Sequence, residues 1–334
     1  MSGPPSITRR KDPEASVAPP RRRYILHVLL LAPPLLTLGL FAACTGSSKP
    51  KIILAVQPSA SITEVSASAK PIEAFLEERM DVDIEIYVPT TYAAVVEALR
   101  FGNADAGFMS AWPSLLATRL ADAELVLAEV REVIIGQEKE EEPFYFSYWV
   151  VPQDSPYTNL AELKDKAACF PSPLSTSGFV FPMAKLVGLG FLPQPPEGEE
   201  ADPEDFFADV VFAGGYSQCW EALRSGQVDV AVIAGDVPEE LYNDVLANTN
   251  VLEEQGPIPS HGVVFNNDLQ EPLRGQLKAA LLELGENREL MRKFISGIFV
   301  RFEETTAEEH LSALESSIQT TGLSFSERLP EEIQ

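Results

Sequence analysis

From Lys51 onward the apolar positions fall into short continuous runs separated by stretches with helical spacing. Lys51–Val56 reads as a buried strand, residues 57–68 as a Ser- and Ala-rich loop, and residues 69–79 as a helix. Residues 82–88 alternate as a half-buried strand. Thr90 or Thr91 caps a helix running to Arg100, and residues 104–109 form a short apolar strand. This βαβαβ order predicts a parallel α/β sheet. The acidic residues 138–142 predict a solvated loop, and residues 145–151 a long aromatic strand. After a short helix over 159–166 a second βαβαβ series begins. Its strands lie at 167–170, 210–213 and 228–233, and its helices at 178–189 and 218–224. Residues 193–205, rich in Pro and Glu, read as a surface loop. Residues 256–265 read as an extended return crossing, and the tail from Leu269 as helix, with Leu277, Leu281 and Leu284 on one stripe.

The two series share a ten-residue pattern, E-A-L-R-x-G-x-x-D-x, at 97–106 and again at 221–230. In each copy an amphipathic helix ends, a glycine (Gly102, Gly226) stands where a C-cap needs positive φ, and a short apolar strand follows. The repeat predicts two similar α/β lobes in one chain. Two lobes imply a cleft, the usual place for a small ligand.

The segment before the first strand bears on compartment. Arg9, Arg10, Lys11 and Arg21 to Arg23 precede an apolar run over 24–43 that ends Phe41-Ala42-Ala43-Cys44. This pattern looks like a lipoprotein signal peptide, with Cys44 as the lipidated residue; the alternative is an uncleaved membrane anchor, since the run is just long enough to span. Either way the remainder is expected outside the cytoplasm, tethered by small polar residues 44–50. Removing residues 1–43 takes six bases and two acids from totals of 25 and 50, leaving 19 against 48 and a net charge of −29. That balance argues against nucleic acid and anionic membrane surfaces as partners. It leaves a small anionic ligand open, because distant surface charge is screened. Two cysteines remain after Cys44. Cys169 and Cys219 can pair in an oxidising compartment, yet two cysteines make no disulfide framework, and their state is left open.

The chemistry concentrates at Ser175-Thr176-Ser177-Gly178, which follows a buried strand and opens a helix. A helix start offers unpaired N–H groups and partial positive charge, and hydroxyls on the same turn add donors aimed at one point. Such a turn suits a tetrahedral oxyanion; its plain alternative is a helix cap. An enzyme reading needs a serine with a base and an orienting acid. His27, His261 and His310 are the histidines, and no G-x-S-x-G elbow occurs, so a hydrolase using Ser175 or Ser177 with His261 is the weaker reading. No His/Cys cluster has metal-ligand spacing, and neither a metal nor a cofactor is expected.

Several motifs in order resemble the phosphate/phosphite/phosphonate-binding proteins of ABC importers. They are Tyr92 to Leu99 with the following G-x-x-D, Tyr145-Phe146-Ser147, Asp154-Ser155-Pro156, Leu160 to Lys164, Ser175 to Phe179 with Pro182, Gly214-Gly215 through Asp229, and Ile258-Pro259-Ser260. The resemblance implies a type II periplasmic-binding-protein fold: two parallel-rich α/β lobes joined by two extended crossings, with a ligand cleft between them. Lobe I then comprises 51–147 and 262–334, and lobe II 148–261, with crossings near Tyr148 and Ser260. It further implies that Ser175, Thr176 and Ser177 hold phosphoryl oxygens, that Tyr92 and Tyr145 close over the ligand from each side, and that Asp236 contacts it. Tyr216 replaces the histidine that relatives commonly carry, and His261 stands where some relatives place an acid; both are candidate contacts. The implied ligand is a phosphonate, phosphite or phosphate, and the implied partner a membrane permease. A sulfonate, nitrate or thiamine-precursor-like ligand is the alternative on the same fold. The residues proposed for the pocket include no Lys or Arg, so neutral donors are expected to hold the anion.

Overall fold

The computed structural model describes residues 49–58, 62–135, 138–235 and 237–324. The signal segment, Cys44 and Asp236 lie outside them. The first lobe is laid down as β1 (Lys51–Val56), α1 (Ile62–Glu77), β2 (Asp83–Tyr87), α2 (Tyr92–Arg100), β3 (Ala106–Met109), α3 (Ala111–Leu120), β4 (Ala123–Ile135) and β5 (Glu138–Glu142). The second follows as β6 (Phe144–Pro152), β7 (Ala167–Phe170), α4 (Phe181–Gly188), β8 (Asp209–Phe212), α5 (Tyr216–Arg224), β9 (Val230–Ala234), α6 (Glu239–Asn248) and β10 (Thr249–Pro259). The chain returns through β11 (Gly262–Asn266), α7 (Leu273–Gly285), α8 (Arg288–Phe294), β12 (Phe299–Glu304) and α9 (Ala307–Thr321).

Two sheets result. One has the order β12-β4-β11-β3-β1-β2, with β5 beside β4; the other has the order β10-β6-β9-β7-β8. Each βαβαβ series forms three parallel strands in the same arrangement, β3-β1-β2 and β9-β7-β8. Antiparallel strands complete both sheets, so each is mixed.

The repeated sequence pattern forms the same joint twice. Gly102 and Gly226 take φ of +67° and +72°, the left-handed conformation that ends each helix. Asp105 Oδ2 then accepts from Ile53 N at 2.8 Å, while Asp105 N donates to Ile53 O. Asp229 does the same to Ala167, with Oδ2 accepting at 3.0 Å. The conserved letters of the repeat are thus a local device that sets the register of the central strand.

Three elements differ from the sequence expectation. Helix α1 starts at Ile62 within the expected loop, because Val65, Ala69, Ile72 and Leu76 bury one continuous stripe against the sheet. The acidic stretch 138–142 is strand β5: its backbone pairs with β4 from Arg131 to Ile135, and Glu141 meets Arg288 and Arg301. A charged edge strand discourages pairing with other chains. The tail is not wholly helical, since β12 adds to β4 at the sheet edge.

Two apolar clusters support the site. One packs β1, β2 and β12 against α1, α7 and α8; the other runs from α2 and α3 through β6 and β7 to α5 and α9. The chain passes from one sheet to the other at Pro143 and again at Ser260-His261, while Tyr148 sits inside β6 opposite Ile233 and Glu254. Helix α9 packs on α3 and β4 of one lobe and on α4 and β10 of the other. Among the described residues no helix is long and apolar enough to cross a membrane. Cys169 and Cys219 form a disulfide between β7 and α5, with Cα atoms 5.5 Å apart.

Candidate functional site

After β7 the chain turns through Pro171 to Leu174 and enters a π-helical turn, Thr176–Val180, that leads directly into α4. Ser175 is its N-cap, with Oγ accepting from Gly178 N at 3.0 Å. A side chain at Gly178 would place Cβ 2.2 Å from Pro171 Cγ, so only glycine lets the turn close against the strand end. Ser175, Thr176 and Ser177 are all buried. The capping and site readings coincide: the same Ser175 oxygen that caps the turn also lies 3.4 Å from Tyr216 Oη.

Three hydroxyls from distant segments meet there. Tyr145 Oη donates to Ser177 Oγ at 2.7 Å, and Ser177 Oγ and Tyr216 Oη are 2.7 Å apart. Tyr216 is placed by α5, whose first residue it is; Tyr92 holds the matching first position of α2 and is equally buried. Tyr92 also lines a cavity of about 220 Å³ with Thr91 and Ala93 on one side and Pro171, Leu174 and Phe212 on the other. Four expected residues, Ser175, Ser177, Tyr145 and Tyr216, are therefore joined directly by hydrogen bonds, and Tyr92 faces the same seam.

Further groups at this point escaped the sequence reading. Trp112 N donates to Thr176 Oγ1 at 2.7 Å, so the first turn of α3 in lobe I meets the hydroxyl turn of lobe II. Ser110, the N-cap of α3, uses its hydroxyl and its N–H on Gln57 Oε1 at 2.9 and 3.1 Å. On the other flank Gln255 Nε2 donates to Ser147 Oγ, which donates to Ser177 O, each at 2.8 Å. Two helix starts and a chain of hydroxyls thus converge from strand ends of both lobes. This arrangement gathers hydroxyl and backbone N–H groups at two helix starts, a setting that suits an oxyanion.

Cationic charge is nevertheless close. Arg131 on β4 is fully buried, its guanidinium 3.9 Å from the centroid of the Tyr145 ring, and Nη2 lies 2.5 Å from Glu129 Oε2. The expectation of a site without Lys or Arg covers the proposed contact residues and misses this guanidinium. The signal was present in the sequence: Glu129 and Arg131 stand two apart, on the alternating face of β4 that otherwise carries Ala123, Leu125, Leu127, Val133 and Ile135.

His261 is placed at the second crossing, where it is buried. Its ring packs edge-on against Phe108 at 5.1 Å, and its carbonyl accepts from Glu129 N. His310 on α9 reaches the same crossing. Its Nε2 lies 2.9 Å from Ser260 O, and because a carbonyl only accepts, Nε2 carries the proton. Burial holds His310 below the usual imidazole range; the bond to Ser260 opposes that, and the nearby Arg131 guanidinium adds to the lowering. Among the described residues no group of three or more His, Cys, Asp and Glu could hold a metal ion.

The chain matches the family model for ABC-transporter phosphonate periplasmic substrate-binding proteins over residues 54–310. It is 30% identical over 201 residues to the phosphate-import protein PhnD of Mycolicibacterium smegmatis, covering 57% of this chain and 60% of that protein. With the phosphonates-binding periplasmic protein of Escherichia coli it shares 23% identity over 221 residues, 64% of this chain and 60% of that one. The chain therefore spans 60% of the length of these curated relatives. The structure of PhnD1 from Prochlorococcus marinus in complex with methylphosphonate superposes with a TM-score of 0.66 at 16% identity, over 80% of this chain and 97% of that one. That likeness establishes the type II periplasmic-binding-protein fold.

Proposed function

The chain belongs to the periplasmic substrate-binding proteins of phosphonate ABC transporters, and from that premise we propose that it binds a phosphonate, phosphite or phosphate in its interlobe cleft outside the cytoplasm and delivers it to a membrane permease. The observation that carries this reading is the meeting of Tyr145, Ser177 and Tyr216 hydroxyls at 2.7 Å contacts on the turn capped by Ser175. In this reading Ser175, Thr176 and Ser177 take the phosphoryl oxygens, Tyr145 and Tyr216 donate from lobe II, and Tyr92 and the start of α3 close from lobe I. Asp236 is a further proposed contact. His261 acts at the crossing, where it steadies the hinge. Cys44 carries the lipid that keeps the protein at the membrane surface.

Selectivity follows from the donor chemistry. A hydroxyl both donates and accepts, so this site can accept a hydrogen bond back from a protonated phosphoryl oxygen. Sulfate has no such proton to give at neutral pH and would leave a buried acceptor unpaired. Binding here is non-covalent, and no step calls for a nucleophile or a cofactor. Isothermal calorimetry on protein stripped of retained solute tests the reading: methylphosphonate or phosphate should bind at least about tenfold more tightly than sulfate, the equivalent of one lost hydrogen bond. Equal affinity for sulfate would overturn it.

A further inference from the structure

The hydroxyl turn before α4 is wound wider than an α-helix. Val180 N and Phe181 N donate to the carbonyls five residues back, Ser175 O and Thr176 O. The next bond in that pattern would run from residue 182 to the Ser177 carbonyl. Residue 182 is proline, which has no N–H to give. A buried carbonyl needs a donor from elsewhere, and here it comes from lobe II's sheet. Ser147 Oγ donates to Ser177 O, and Gln255 Nε2 donates to Ser147 Oγ, each at 2.8 Å. Ser147, Ser177 and Gln255 are all buried.

The two strands are arranged for this. Tyr145 and Ser147 share one face of β6 and hold Ser177 at two points, its hydroxyl and its carbonyl. Gln255 stands opposite Ser147 on β10, where the register is irregular between Gln255 and Ile258. Such bulges re-aim side chains beside functional sites. The polarity of the chain is fixed at its inner end. A carbonyl only accepts, so the Ser147 proton points at Ser177, and the Ser147 oxygen is left to accept the Gln255 amide N–H.

We propose that Ser147 and Gln255 are positioning residues for the oxyanion: they supply the hydrogen bond that Pro182 withholds, and so keep the π-helical turn in the form that presents the Ser177 hydroxyl to Tyr145, Tyr216 and the ligand. They act through Ser177 and not on the ligand itself. The inference rests on the oxyanion reading of the cleft.

The proline gives the test its specificity, because replacing it restores a donor at position 182. Calorimetry with methylphosphonate, and with phosphate in parallel, is run on the full-length protein and on Ser147→Ala, Pro182→Ala and the double variant. Ser147→Ala should weaken binding about tenfold. In the Pro182→Ala background the same substitution should cost no more than about threefold, since the backbone then serves the Ser177 carbonyl. Gln255→Glu keeps the shape of the side chain but offers the Ser147 proton a competing carboxylate, and it too should weaken binding about tenfold. A side chain that only stabilises the sheet predicts a lower Tm for Ser147→Ala with parental affinity, or the same loss of affinity in both backgrounds; either result overturns the proposal. Should Ser147→Ala fail to fold, Gln255→Glu decides, and parental affinity there overturns it. If the parent protein binds neither methylphosphonate nor phosphate, the functional reading itself fails; if it binds and these variants bind alike, only this inference does.

Discussion

The two lobes share one joint and differ in what they hang on it. In both, a helix ends at a left-handed glycine, and an aspartate three residues on clasps the N–H and C=O of the neighbouring strand. In both, the helix opens with a buried tyrosine, Tyr92 or Tyr216. The lobes part at the carboxyl end of the central strand. After β1 comes Gln57, which serves Ser110; after β7 comes the turn bearing Ser175, Thr176 and Ser177, with the Cys169–Cys219 bridge tying its strand to α5. The shared joint builds the fold, and the unshared segment builds the site. One lobe carries the hydroxyl turn, and the other presents Tyr92 and the start of α3 to it.

That contrast can be broken at the bridge first. The disulfide closes a 50-residue loop, for which chain entropy gives about 4 kcal/mol. The double variant Cys169→Ala/Cys219→Ala should lose about that much stability in a urea titration. Its ligand affinity should fall as well, because the strand carrying the hydroxyl turn is loosened. A loss below about 1 kcal/mol would mean that packing alone fixes β7 to α5.

The matched tyrosines give the next effect. Tyr216 Oη is in hydrogen-bond contact with Ser177, so Tyr216→Phe should weaken phosphonate binding by about 2 kcal/mol, or roughly thirtyfold. Tyr92 faces the seam from the other lobe, and Tyr92→Phe should cost less than half as much, about 1 kcal/mol or under. Calorimetry on both variants checks the ranking; equal losses would show that the lobes contribute alike and that the specialisation is not in the hydroxyls.

The smallest effect should be the same in both lobes. Asp105→Ala and Asp229→Ala each remove one partly buried carboxylate acceptor from a strand N–H. Each should cost about 1 to 2 kcal/mol in denaturant titrations, within about 0.5 kcal/mol of one another, with ligand affinity unchanged. A large difference between them would undo the equivalence of the two joints.

Much of this was legible before the structure. Lys51–Val56 and Ala167–Phe170 were readable as strands because both are short apolar runs, and the repeat marked two joints because its glycine and aspartate act on residues close in the local fold. The Ser175 turn was visible from its hydroxyls. Other features were not. Residues 62–68 look like a polar loop, yet α1 forms there because the sheet offers a surface for Val65 and Ala69. Strand β5 has four Glu and one Lys, a composition that predicts solvent; pairing with β4 and contacts from Arg288 and Arg301 decide otherwise.

By itself the sequence determined the alternation of strand and helix, the doubled joint and the location of the hydroxyl turn. These depend on backbone conformation and on neighbours a few residues away. The tertiary structure alone decided which groups face that turn. Tyr145 and Tyr216 stand 32 and 39 residues from Ser177, Trp112 is 64 from Thr176, and Arg131 lies against the face of Tyr145. Hydrogen bonding and Coulomb attraction depend on distance in space, and distance in space is fixed only once both lobes have folded and met.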